Sequence, residues 1–365
     1  MSSVRNLVIV LGDQLDPTLS ALDGFDAERD VVWMAENETE ATHVWCHKKR
    51  LVLFFAAMRH HRDALRDRGF EVDYHALSAD RRRDSGRGLA DVLSARIRIH
   101  QPKRLVMTES GDHRGQSLLQ ECADQHDRAL QIRPDRHFYC DPAAFDAWAA
   151  DRQRIVLEDF YRGLRREHDI LMDDGEPAGG QWNFDKANRE TFGRQGPGAL
   201  PHVRAFRPDA CTRDVIELIE TRYPDHPGHT DGFDLPVTRD EARTALADFI
   251  EHRLPVFGPY QDALWTGVRF AYHSRLSAAL NLHLLDPREC VDAAVAAATR
   301  AQSDWARRPA NERGKLLTRW AEEIDRHLDP FARLIALEQG KPLSQARGEV
   351  CACSEFLRYS AQWAR

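Results

Sequence analysis

Glycine-rich phosphate loops are absent from this 365-residue chain. No G-x-G-x-x-G follows the first apolar run and no G-x-x-x-x-G-K-S/T occurs anywhere, so a dinucleotide or triphosphate held in the usual backbone cradle is not indicated. No apolar run approaches the ~20 residues a membrane span needs. The N-terminal "MSSVRNLVIVLGDQL" ends in Gly-Asp-Gln rather than at a small-residue cleavage site, and reads as a strand, not a signal peptide. Cysteine is scarce and scattered: Cys46, Cys122, Cys140, Cys211, Cys290, Cys351 and Cys353. An odd, unpatterned set argues against a disulfide framework and for a reducing cytoplasm, so a cytoplasmic location is expected. Only Cys351 and Cys353 are close. Two residues apart on a helix they point to different sides, so they read as ordinary buried or half-buried thiols and not as a metal pair. Excess positive charge is absent too. Lys and Arg total 51 against 58 Asp and Glu, for a net charge of −7, so nucleic-acid contact would need a local basic face. The short basic run "DRRRDSGR" (80–87) reads as a solvated loop.

What is present is an alternation. "LVIVLGDQL", "DVVWMAEN", "EVDYHAL", "RLVMTES" and "LQIRPD" are short β-branched runs that read as buried strands. Between them, "KKRLVLFFAAMRHHRDALRDRGF", "GLADVLSARIRIHQP" and "GQSLLQECADQHD" carry apolar residues at helical spacing, with Gly69 and Pro102 as stops. The alternation predicts an α/β fold with a Rossmann-like doubly wound parallel sheet. Ligands of such sheets bind beyond the carboxyl ends of the strands, which singles out Asp13, residues 35–40 and residues 109–114.

Farther on the pattern turns helical. Residues 145–170 read as one helical stretch, and 173–201 as a long ordered connector, because Trp182 and Phe184 need somewhere to bury. "TRDVIELIETRY" and "TRDEARTALADFIEHRLPVFG" read as amphipathic helices, the second opening on a capping box of Thr238 and Glu241. In "HSRLS", Ser274 and Ser277 stand three apart at a helix start, where free backbone N–H groups suit a phosphate; helix capping by either serine is the ligand-free reading.

"LVIVLGDQLDP", "HKKRLVLFFAAMRH", "GGQWNFDKANR" and "HSRLSAALNLHLL" occur in order from residue 1 to about residue 290. Together they resemble the bacterial iron–sulfur branch of the cryptochrome/photolyase family, the (6-4) photolyase-like proteins. The resemblance implies a flavoprotein that uses blue light and reduced FAD to repair pyrimidine photoproducts in UV-damaged DNA. It also implies an antenna of the 6,7-dimethyl-8-ribityllumazine type in the α/β domain. Asp13 and Glu40 match the family's antenna contacts, with Glu36 and Phe54 as further candidates. Taken alone, Asp13 also serves as a turn residue and Phe54 as core. His273, Ser274, Leu276 and Ser277 match the FAD diphosphate clamp, while Asn183 and Asp185 are read as fixing the connector.

After "CVDAAVAAA" the photolyase pattern stops. The family's ring-enclosing helices, active-site His and four cluster cysteines do not follow, so no iron–sulfur cluster is expected. The segment from "RAQSDWARRPANERGKLL" through "LEQGKPLSQARGEV" resembles instead the N-terminal helices of aldehyde dehydrogenases, most like the succinate-semialdehyde type. No catalysis is assigned there to Glu338 or Lys341. The expected organisation is an α/β antenna domain (1–140), a helix and connector (141–235), the start of a helical FAD domain (236–298) and a dehydrogenase-like fragment (299–365). The seam lies near 291–298, within one helix. Repair activity is expected to be impaired or absent, and dehydrogenase activity is not expected. The alternatives are a non-enzymatic chromophore-binding or light-sensing module and an inert fusion product. The first domain is expected to fold well, and the second half to expose apolar faces evolved for other partners.

Overall fold

Short runs rich in branched side chains favour strands over helices. In the computed structural model β1 (Asn6–Ile9), β2 (Asp30–Ala35), β3 (Val72–His75), β4 (Arg104–Thr108) and β5 (Ala129–Arg133) form one sheet. Its order is β3-β2-β1-β4-β5 and every neighbouring pair is parallel. Residues 4–84, 88–183, 190–192, 196–339 and 342–363 are described. Phe184, Asp185 and Lys341, and the side chains of Leu334, Leu337 and Glu338, lie outside them.

Parallel neighbours require crossovers. They run through α1 (Glu38–His43) and α2 (Lys48–Asp67), then α3 (Arg81–Asp84) and α4 (Leu89–His100), then α5 (His113–Gln125). Side-chain alternation along each strand divides the core. Leu7, Ile9, Val31, Trp33, Leu105 and Met107 pack with Val92, Leu93 and Ile97 of α4 and Leu119 of α5. Val8, Val32, Met34 and Val106 are one residue out of phase and equally buried. α2 contributes a second buried stripe of Leu51, Val52, Phe55, Met58 and Leu65. The predicted doubly wound α/β fold is present. Helices α1 and α3 were not foreseen, because segments of six and four residues carry no periodic signal. α3 falls in the run expected to be a solvated loop: its arginines are exposed, and Arg81 also donates to the Arg222 carbonyl at 2.7 Å.

Two helical expectations need correction. Residues 145–170 form α6 (Pro142–Ala149) and α7 (Leu157–Glu167) rather than one helix. A continuous helix would hold Phe145 and Phe160 roughly 22 Å apart, whereas the break brings their ring centroids to 5.3 Å, with Trp148 4.9 Å from Phe160. A small hairpin follows, β6 (Met172–Asp173) with β7 (Glu176–Pro177), and then α8 (Ala210–Arg222). The stretch 238–258 divides into α9 (Arg239–His252) and α10 (Leu254–Tyr260). Pro255 at the start of α10 has no N–H with which to continue α9. The capping box of Thr238 and Glu241 is present. In the connector, Trp182 is half-buried beneath the guanidinium groups of Arg162, Arg165 and Arg166, and Asn183 donates to Glu158 at 3.0 Å.

α11 (Ser277–Asn281) and α12 (Pro287–Arg307) come next, the latter unbroken through 291–298. The chain divides into two compact units. One comprises Met1–Glu190, Leu200–Asp262 and Arg269–Val291; the other comprises Thr191–Ala199, Ala263–Val268 and Asp292–Arg365. In the first, α8 packs on α2. The nearly buried Lys48 ammonium pairs with Glu220 at 2.7 Å, and the fully buried Arg222 guanidinium pairs with Glu38 and donates to the Ser78 carbonyl at 2.6 Å. In the second unit, α13 (Ala310–Arg326) and α14 (Leu328–Gln339) each pack on α15 (Leu343–Trp363). Their shared core is small, formed by Ala332, Ala346 and Val350. Trp320, Phe331, Phe356 and Tyr359 are exposed. Cys351 is half-buried, but Cys353 is exposed, which corrects its reading as a buried or half-buried thiol: its side of α15 is not covered. Among the described residues no helix is long and apolar enough to cross a membrane.

Because α8 is clamped to the sheet layer, limited proteolysis is expected to protect a fragment that reaches past Arg222. A stable product ending near residue 140 would refute the clamp. Burial also holds the His61 and His283 imidazoles neutral, each lowered from 6.5 to about 4. The folded protein then binds fewer protons than the unfolded chain between those values, so stability falls as pH drops through that window. Urea unfolding at about pH 7 and about pH 5 checks this: the loss should shrink in His61→Gln and in His283→Gln.

Candidate functional site

All five strands end on the same side, and the reversal of strand order between β1 and β4 opens a crevice there. Its walls are the segments that follow β1, β2, β4 and β5. Gln14 ties two of them, donating to the Glu109 carbonyl at 2.8 Å, while its own Oε1 is buried without a partner. Asp112 caps α5, accepting from the Arg114 and Gly115 amides at 3.0 and 3.2 Å. Arg114 then reaches across to Glu40 at 2.8 Å. The Glu40 amide is in turn held by Asn37, the cap of α1, at 2.8 Å.

Asp13 sits among these groups with no cation partner among the described residues. Burial pushes its carboxyl pKa up, and Asp135, Asp112 and Glu40 push it further; only a bond from its own backbone opposes them. A half-buried carboxylate raised by desolvation and by like charges, at a strand-end crevice, is a ligand-site candidate on physical grounds. Asp13 and Glu40 are therefore brought together. Phe54 is half-buried on α2, with the Arg50 guanidinium 5.3 Å from its ring centroid.

Glu36 has a different surrounding. Its fully buried carboxylate is saturated by Arg59 Nε and Nη2 at 2.7 and 3.0 Å, the Tyr74 hydroxyl at 2.7 Å and the Leu77 amide at 2.8 Å. These bonds join β2, α2 and the end of β3, and leave nothing to offer a ligand. Sequence reasoning missed Arg59, Tyr74, Asp112, Asp135 and Arg114 as partners; only Asp112 and Arg114 fell within a segment singled out in advance.

The second set lies before α11. The His273 amide donates to the Phe270 carbonyl at 2.8 Å, and Leu276 is buried. The Ser274 hydroxyl makes only a long contact, 3.5 Å, with the Leu276 amide. Ser277 is exposed at the first position of α11, where no side chain caps the helix. Ser274 lines a cavity of about 30 Å³ with Arg204, Arg253 and Arg275. Arg275 faces Asp234 at 3.4 Å and Arg253 pairs with Asp248 at 2.7 Å, while Arg253 Nε is buried and unsatisfied. Two hydroxyls without a short hydrogen bond among the described residues, and an orphaned guanidinium N–H, suit the anionic end of a nucleotide. The cavity itself has room for little beyond a water or two.

The family model for deoxyribodipyrimidine photo-lyase-related protein matches residues 8–235, and that for the aldehyde dehydrogenase family matches residues 283–365. The chain is 38% identical over 292 residues to a (6-4) photolyase of Agrobacterium fabrum, covering 80% of this chain and 56% of the relative. It thus spans about half of that protein's length. Its last part is 46% identical over 68 residues to a 3,6-anhydro-alpha-L-galactose dehydrogenase of Vibrio sp., or 19% of this chain and 14% of that enzyme. It is also 42% identical over 72 residues to the mitochondrial succinate-semialdehyde dehydrogenase of Arabidopsis thaliana, 20% of this chain and 14% of the enzyme.

Replacing Glu36 by Gln would leave Arg59 buried beside a neutral amide, and is expected to destabilise the first unit by about 3–5 kcal/mol. Urea unfolding measures this directly; a change within ~0.5 kcal/mol, as at an ordinary surface site, would contradict the assignment.

Proposed function

The chain belongs to the deoxyribodipyrimidine photo-lyase-related protein family, and from that premise we propose that residues 1–290 form the chromophore-binding portion of a (6-4) photolyase-type flavoprotein acting on UV-damaged DNA. The observation that carries this reading is Asp13, a half-buried carboxylate with no cation partner among the described residues, beside the Arg114–Glu40 pair at the β1/β4 switch point. A flat antenna of the ribityllumazine type would take its place there through a few fixed polar groups: Asp13, the orphaned Gln14 Oε1 and Glu40. Phe54 is retained as an apolar neighbour, and Glu36 is assigned to the scaffold.

Ser274, Ser277 and His273, with the Arg253 and Arg275 guanidinium groups, would hold the FAD diphosphate. Bound reduced FAD would supply the electron for lesion repair. These residues would bind and orient its anionic end, and Leu276 would close the apolar side. The ring-enclosing part of the pocket is where this chain departs from its family. The photolyase pattern gives way at 291–298 to dehydrogenase-like sequence, and the cavity beside Ser274 is only about 30 Å³. On this reading chromophore binding is the retained activity and light-driven repair is impaired or lost. The dehydrogenase-like segment contributes no catalysis.

The visible absorption spectrum of the purified chain, with released chromophores identified by mass, tests the proposal. A lumazine-type antenna with little or no FAD is the expected outcome. A protein that is colourless and refuses both added chromophores would overturn it. Asp13→Asn is expected to weaken antenna binding about tenfold, ~1.4 kcal/mol, by fluorescence titration.

A further inference from the structure

On the β5 side of the same sheet edge lies a cavity of about 220 Å³, lined by Asp16, Thr18, Leu19, Ser20, Asp135, Arg136, His137, His283 and Asp286. A single water needs only about 10–15 Å³, so the space suits a small molecule. We propose that this cavity binds a small organic cation carrying a guanidinium or ammonium group.

Charge comes first. Asp16, Asp135 and Asp286 each use Oδ1 to hold the amide two residues on, at Thr18 (2.8 Å), His137 (2.8 Å) and Arg288 (2.7 Å). None of the three forms an ion pair with a cation among the described residues. The nearby guanidinium groups are committed elsewhere. Arg136 pairs with Asp23 and donates to the Thr18 carbonyl, both at 2.9 Å. Arg288 donates to the carbonyls of Arg136 and Phe138 at 2.8 and 2.9 Å.

Hydrogen-bonding character comes second. His137 and His283 stack with ring centroids 3.6 Å apart and an interplanar angle of 8°, and each is only 6% exposed. Each has a buried Nδ1 without a hydrogen-bond partner among the described residues. Burial lowers both imidazoles, His283 to about 4, so both are neutral near pH 7. A neutral imidazole carries one donor and one acceptor nitrogen, so each ring can meet a polar ligand group. The site therefore presents carboxylate oxygens beside two neutral imidazoles, and calls for a ligand rich in N–H donors.

A metal ion fits less well. Metal sites need ligands converging at about 2.0–2.6 Å, and no group of three His, Cys, Asp or Glu among the described residues is placed to hold one. The lining is also rigid. The Leu15 amide binds the Leu282 carbonyl at 3.0 Å, and Arg288 straps the following turn to the segment after β5. His283 is held at φ 57°, a left-handed conformation that costs energy for a non-glycine residue and persists only where its surroundings enforce it.

The test is isothermal titration of the full chain with agmatine, alongside butylurea as the uncharged donor and Mg²⁺ as the inorganic cation. Histidine ¹⁵N shifts are followed in parallel. Saturable agmatine binding that perturbs His137 or His283 Nδ1 is expected, with neither butylurea nor Mg²⁺ competing. Asp135→Asn and Asp286→Asn keep the Oδ1 acceptor of their turns and should each weaken binding tenfold or more, while Asp240→Asn on α9 should not. No saturable binding at concentrations of about 10 mM, equal binding of butylurea, displacement by Mg²⁺, or indifference to both cavity variants with urea unfolding unchanged would each overturn the proposal; the limit corresponds to a binding energy of roughly 3 kcal/mol.

Discussion

The parallel pairing of β1 with β2 on one side and β4 on the other is the constraint on which the rest of the first unit depends. Parallel strands cannot be joined by tight turns, so each neighbour imposes a helical crossover, and the crossovers cover both faces. The same pairing brings every strand's carboxyl end to one edge. Loops far apart in sequence then become neighbours: Gln14 meets Glu109, and Glu40 meets Arg114. The crevice and the acidic cavity beside it are both consequences of that edge.

Buried and half-buried acidic groups divide by how their charge is handled. Glu36 receives four donors, and Asp30 is held by Arg5 and by the Asn6 and Asp26 amides. Against the desolvation cost that favours protonation, Arg5 and those amides lower the Asp30 pKa. Such groups stabilise the fold only as complete sets. Asp13 and Asp135 are raised instead, with burial the largest cause and other carboxylates adding to it. A fold that tolerates like charges crowded without counter-ions leaves binding energy available to a partner that supplies the missing donors.

The second unit follows different physics. Its helices meet over a small core of Ala332, Ala346 and Val350 edged by the partly buried Ile324, Leu328 and Ile335, while aromatic side chains such as Trp320 and Phe356 remain exposed. Amphipathic helices draw most of their stability from the face they bury, and here that face is only partly used. The helix from Pro287 to Arg307 passes through the change of sequence character without interruption, because its alanine-rich run is a good helix former in either setting.

Periodicity and composition by themselves determined the strands, the long helices, the doubly wound class and the edge at which ligands gather, since each is written in local spacing of two or 3.6 residues. The capping box of Thr238 and Glu241 was legible for the same reason, and the matched motifs pointed to Asp13, Glu40 and Ser274. Tertiary structure alone decided what surrounds those residues. Nothing local distinguishes Glu36, saturated by Arg59 and Tyr74, from Glu40, which stands exposed four residues later. The break between α6 and α7, read as one helix, answers to an aromatic contact between residues fifteen apart. The three aspartates and two stacked histidines of the cavity come from segments up to 270 residues apart. Their common environment depends on desolvation and on charges brought together through space, and neither has a signature in the order of the chain.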